Sequence, residues 1–196
     1  MAVGCTIPIN WPQHRVSVHI SNAAVDTLQT VTDEGYEIEV TDLRFGVESV
    51  ELVSCDAIDE RRRDLPGFAE LLTPDAFAHG ISSSTKNAVP VVVGALNGSE
   101  TTIADLAPPS DDYCAIEVLL GPLDDDALEL SDETMVGSTL RATGRYRSAD
   151  AVEWTSFRWT SGARATARFQ LKERLELGDD SVDARYELTS NIVQWF

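Results

Sequence analysis

Lysine is nearly missing from this 196-residue chain: Lys86 and Lys172 stand beside thirteen arginines. Basic residues of both kinds number 15 against 33 acidic ones, for a formal net charge of −18. That shortage excludes nucleic acid as a partner, since neutralising phosphate takes clustered Lys and Arg. It disfavours an anionic membrane surface in the same way. What such a field concentrates is a cation or a cationic partner, and the preference for arginine over lysine reads as a GC-rich or salt-adapted source. No run approaches eighteen apolar residues, so the sequence carries no transmembrane span. Three cysteines without a CxxC pair exclude zinc-ribbon and thioredoxin chemistry. A P-loop, a GxGxxG after a strand and a GxSxG elbow are all missing, so neither a nucleotide cradle nor an α/β-hydrolase nucleophile is expected.

What is present is globular: 43 % apolar and 24 % charged residues. The apolar residues recur with period two. Val16, Val18 and Ile20 alternate with Arg15, Ser17 and His19. The same alternation marks Ile38–Val40, Val50–Leu52, Ile116–Leu120, Ala165–Leu171 and Val182–Leu188. Turn chemistry separates these segments at Asp33-Glu34-Gly35, Asn97-Gly98-Ser99, Pro108 to Asp112 and Gly178-Asp179-Asp180. The pattern predicts an all-β, mostly antiparallel β-sandwich. One or two short helical segments accompany it, over Pro66–Ala78 and just after Ser190. Residues 1–12 read as an N-terminal tail and 13–196 as a single β-sandwich domain.

The cysteines speak to compartment. Cys55 and Cys114 each lie at or inside a strand-like segment, a pair able to bridge two strands in an oxidising environment. Met1–Gly4 has neither the charged nor the apolar region of a conventional secretory leader. Ala2-Val3-Gly4 before Cys5 nonetheless has the small-residue lead-in of a bacterial lipoprotein signal, which makes Cys5 the expected lipidation site and lipid anchor. Both features predict an extracytoplasmic protein, in the periplasm or on the outer surface.

Three groups of side chains bear on chemistry. Ser82-Ser83-Ser84 beside His79 invites a hydrolase, but a hydroxyl nucleophile needs a base held by a third group, and polar loops commonly hold serines. Asp124-Asp125-Asp126 offers hard oxygens for calcium without the alternating order of an EF-hand. The histidines number only three: His14, His19 and His79. Imidazole suits copper, zinc and nickel. His14 and His19 are five apart and so face opposite sides of a regular strand, unless His14 precedes it.

The stretch Val16 through Gly35-Tyr36 to Thr41-Asp42-Leu43-Arg44-Phe45-Gly46-Val47-Glu48-Ser49-Val50-Glu51-Leu52 resembles the opening of the MbnP-like exported proteins. Tyr113-Cys114-Ala115-Ile116-Glu117-Val118-Leu119-Leu120-Gly121 is similar to a later strand of that family. Where the family has a tryptophan-rich segment, this chain has Glu153-Trp154-Thr155-Ser156-Phe157-Arg158-Trp159-Thr160-Ser161-Gly162. The resemblance implies a β-sandwich, export, and copper held by histidines. Carried over by position, His19 and His79 are the ligands, with His14 as a third nitrogen and Trp11 as a neighbouring apolar wall.

The resulting expectation is a non-catalytic, copper-binding protein of the cell envelope. The alternative is an envelope adhesion or carbohydrate-binding module without metal, using Trp154, Phe157 and Trp159. In that second reading Trp154 lies on the strand face opposite Phe157 and Trp159.

Overall fold

A computed structural model describes residues 14–22, 24–57, 82–96, 98–125, 127 and 135–190. Its eleven strands, in chain order, are β1 Arg15–Asn22, β2 Leu28–Val31, β3 Tyr36–Ser54, β4 Lys86–Asn87, β5 Val91–Gly94, β6 Glu100–Leu106, β7 Asp112–Leu120, β8 Leu140–Ser148, β9 Thr155–Ser161, β10 Ala165–Glu176 and β11 Asp183–Ser190. They form two packed sheets, the expected all-β sandwich. One sheet has the order β11-β1-β6, with β11 parallel to β1; the other is eight-stranded and built on β3. The helical expectations at Pro66–Ala78 and after Ser190 lie outside the described residues, as do Cys5, Trp11 and His79.

The sequence pattern predicts separate strands at Ile38–Val40 and Val50–Leu52; they are two ends of one 19-residue strand, β3. Nothing between them is turn-forming. Two β-bulges, between Val40 and Asp42 and between Val47 and Ser49, each insert one residue. A bulge inverts the parity of the residues beyond it. The apolar spacing therefore runs Val40, Leu43, Phe45, Val47, Val50, Leu52, all buried in one core.

Strand β3 organises the large sheet. Phe45 pairs with Leu140 of β8 and Val93 of β5, while Val47 pairs with Leu120 of β7 and Val91 of β5. Since β5 occupies one edge at both positions, β8 and β7 succeed each other along the other edge. Strands β9 and β10 extend them outward in turn, antiparallel to β8 and β7. Gly46 sits at the junction, its N–H donating to the Thr139 carbonyl and its carbonyl accepting from Gly121. A Cβ there would lie 2.7 Å from the Gly121 carbonyl oxygen and 2.6 Å from Leu123 Cγ, so the close approach requires glycine. Gly144 plays the same part opposite the first bulge, where a side chain would run into the Glu39 carbonyl.

The three-stranded sheet covers this surface with Val16, Val18, Ile20 and Leu188. On the opposite, wet face, charge is segregated by strand. Residues 135–172 hold Arg141, Arg145, Arg147, Arg158, Arg164, Arg168 and Lys172 against Asp150 and Glu153, a net +5 within a chain of −18. Most of these arginines meet carboxylates of the inner strands: Arg147 with Glu37, Arg145 with Glu39, Arg141 with Asp42, Arg164 with Glu48 and Arg168 with Glu117. Repeated across neighbouring strands, such pairs fix register more than they add stability.

Cys55 and Cys114 are disulfide-bonded, with Cα atoms 4.9 Å apart, as their placement at strand-like segments predicts. The bond joins the end of β3 to β7, beside the Ser54–Tyr113 pair. Among the described residues no helix is long and apolar enough to cross a membrane, which says nothing of a β-barrel.

Candidate functional site

Strand β1 turns Val16, Val18 and Ile20 inward, which leaves His19 on the outer face of the three-stranded sheet. A bulge between Val18 and His19 sets His19 opposite Thr102 of β6 and Glu187 of β11. There His19 is only 8 % exposed. Its Nδ1 lies 2.9 Å from Glu100 Oε1 and 3.1 Å from Thr102 Oγ1. The Glu100 contact is an ion-pair distance, and the Thr102 contact is a hydrogen bond whose direction depends on the ring tautomer. Both neighbours engage Nδ1, and Nε2 makes no hydrogen bond among the described residues. Arg185 of β11 donates to the same Glu100 oxygen, so one carboxylate gathers side chains from all three strands.

A histidine whose second nitrogen is tied to a carboxylate is the usual arrangement behind a metal ligand: the bond fixes the tautomer and makes the other nitrogen more basic. Nε2 is thus the nitrogen through which His19 could hold a metal. Its supporting groups are not legible in the sequence. Glu100 and Thr102 lie more than eighty residues away, and only the β1–β6 register brings them together.

His14 is placed differently. It immediately precedes β1, is 3 % exposed, and has both ring nitrogens engaged. The Val182 N–H donates to Nδ1 at 3.3 Å, so Nε2 carries the proton and donates to Ser110 Oγ at 3.2 Å. Ser110 passes its own proton to the Gly178 carbonyl at 2.9 Å. This relay is closed, leaving no lone pair for a metal. Five residues of strand also separate His14 from His19 by about 17 Å. The two are not brought together.

Among the described residues, which include Asp124 and Asp125, no three His, Cys, Asp or Glu side chains group around a common point. Asp126 lies outside the described residues. In the serine loop, Ser82 Oγ accepts the Ala88 N–H at 3.1 Å and Ser83 Oγ accepts the Thr85 N–H at 3.3 Å, so both hydroxyls shape the loop.

The aromatic residues divide as their parity implies. Trp154 lies on the charged face under two guanidinium groups, Arg145 at 4.7 Å and Arg147 at 4.6 Å from its ring centre. Phe157 packs against Tyr146 on the other side, their rings 6.4 Å apart and tilted by 52°. Trp159 is 52 % exposed.

No family model, curated protein or solved structure matches this chain.

Proposed function

We propose that this chain is an extracytoplasmic, non-catalytic copper-binding protein of the cell envelope, with His19 as a ligand through Nε2. The observation that carries the reading is the His19–Glu100 contact at 2.9 Å, which sets a carboxylate behind Nδ1 and leaves Nε2 unengaged. His79 is the proposed second ligand, on the resemblance alone. Bound copper would supply a site for metal storage or handover, and this chain's part is to orient the imidazoles and draw the cation. Imidazole favours copper over zinc at equal geometry. The Cys55–Cys114 disulfide supports an oxidising compartment.

A carbohydrate-binding module is the second reading, and one observation favours it: Trp159 is largely exposed. Geometry weakens it. Trp154 is covered by guanidinium groups and Phe157 is tilted against Tyr146, so Trp159 is left as a single plate, whereas sugar stacking is strongest on several aligned ones. Metal content after purification from copper-supplemented cells, set beside a glycan array, separates the two. About one copper per chain and no glycan signal is the expected result. Metal-free protein that binds a glycan would replace the copper reading with the second one.

A further inference from the structure

We infer that β9 is a docking edge for an extended, acidic segment of a partner polypeptide, which adds to the large sheet as a further strand. Strand β9 pairs with β8 in unbroken register from Thr155–Tyr146 to Ser161–Leu140 and has nothing on its other side among the described residues. No backbone group of 155–160 on that outer edge has a partner among those residues. A straight strand with free N–H and C=O groups is a template for another chain, and edges are ordinarily blunted by lysine, proline or a bulge. The neighbouring outer strand β10 is blunted in that way, with Lys172 and a register break between Gln170 and Leu175. Strand β9 has no lysine, proline or bulge over its seven residues, and Arg158 is its one charge.

Side chains on the two faces of β9 state what the added strand looks like. On one face, Phe157 and the half-exposed Trp159 present apolar surface. On the other, Arg158 is exposed, has no ion-pair partner among the described residues, and stands opposite Thr143 in the most basic part of the chain. An added strand alternating apolar and acidic residues satisfies both faces at once: apolar side chains cover Trp159 and a carboxylate meets Arg158. The overall charge of −18 does not forbid this. At about 0.15 M salt, screening within roughly 8 Å leaves the docked strand sensing Arg158 and little of the distant acidic surface. Main-chain hydrogen bonds provide affinity in this mode and alternate side chains provide selectivity.

The probe is a fluorescein-labelled eight-residue peptide alternating valine and glutamate, titrated with the full chain at physiological salt. Two controls have the same peptide N-methylated on its valines or on its glutamates, and a third alternates valine and lysine. The expected results are saturable binding of the parent peptide, none of the lysine peptide, and loss of binding for one of the N-methylated peptides. Arg158→Glu weakens the parent peptide roughly threefold to tenfold, and Trp159→Ser weakens it separately; both sites are exposed, and circular dichroism checks that each variant folds. Equal binding of both N-methylated peptides overturns strand addition. Equal binding of the lysine peptide overturns the charge argument. Absence of binding up to about 1 mM overturns the proposal, as does a wild-type dimer in sedimentation that Arg158→Glu dissolves, because the occupant is then a second copy.

Discussion

At the scale of single residues, close approaches of backbone decide more than side-chain chemistry does. Gly144 faces the β3 bulge so tightly that a methyl group would meet the Glu39 carbonyl, while Gly94 on β5 has open space where its side chain would be. Gly144→Ala is expected to lower stability by at least about 2 kcal/mol and Gly94→Ala to stay within about 0.5 kcal/mol, in matched denaturant titrations. Equal effects would show that the bulge can relax. Tyr113 gives a pH-dependent counterpart. It is fully buried in the core, and burial, with a smaller contribution from the Asp111 charge, pushes its phenol up to about 12. A group whose native value is raised above the ordinary 10 favours the fold fully below pH 10, and that contribution disappears as pH rises through about 12. An alkaline absorbance titration at constant salt is expected to show a tyrosine ionising last, together with loss of structure. The positions of glycine and histidine are legible in the sequence. Their meaning is not, because Glu39, Glu100 and Val182 reach them only through pairings between distant strands.

At the scale of elements, period two locates β1, β7, β10 and β11 because apolar and polar side chains alternate along each. It fails within β3, where two bulges break the period and a 19-residue strand reads as two short ones. It also passes over β5, whose three consecutive valines are all buried and so show no alternation. The disulfide is legible because each cysteine lies at or inside a strand, yet its strand partners emerge only from the Ser54–Tyr113 register. Its sequence separation of 59 sets the effect of removing it. Replacing both cysteines by serine is expected to lower unfolding free energy by about 4 kcal/mol, an upper bound from chain entropy. Urea titrations of oxidised wild type against the double variant measure this. A loss below about 1 kcal/mol would mean the β3–β7 ladder already constrains the unfolded chain.

At the scale of the whole molecule, charge organises behaviour in two ways. Five arginine–carboxylate pairs, three of them from β8, tie residues 141–168 to β3 and β7, while the remaining acidic surface repels itself. Self-repulsion acts over longer distances than contact pairs and is screened first. The melting temperature is therefore expected to rise between ~0.01 and 1 M salt, and a flat or falling series would mean that the ion pairs outweigh the repulsion. His19 stands on the outer face of the small sheet with its Nδ1 against Glu100 and Thr102. Between His14 and His19, the structure separates one ring with an available nitrogen from one with none, a distinction that spacing alone does not make. The direct test is copper affinity by chelator competition on the full chain, comparing wild type with His19→Ala, Glu100→Gln and His14→Ala. A copper site on His19 predicts loss of tight binding in His19→Ala, a weakening of about tenfold or more in Glu100→Gln, and unchanged affinity in folded His14→Ala. Wild-type affinity in His19→Ala would contradict it.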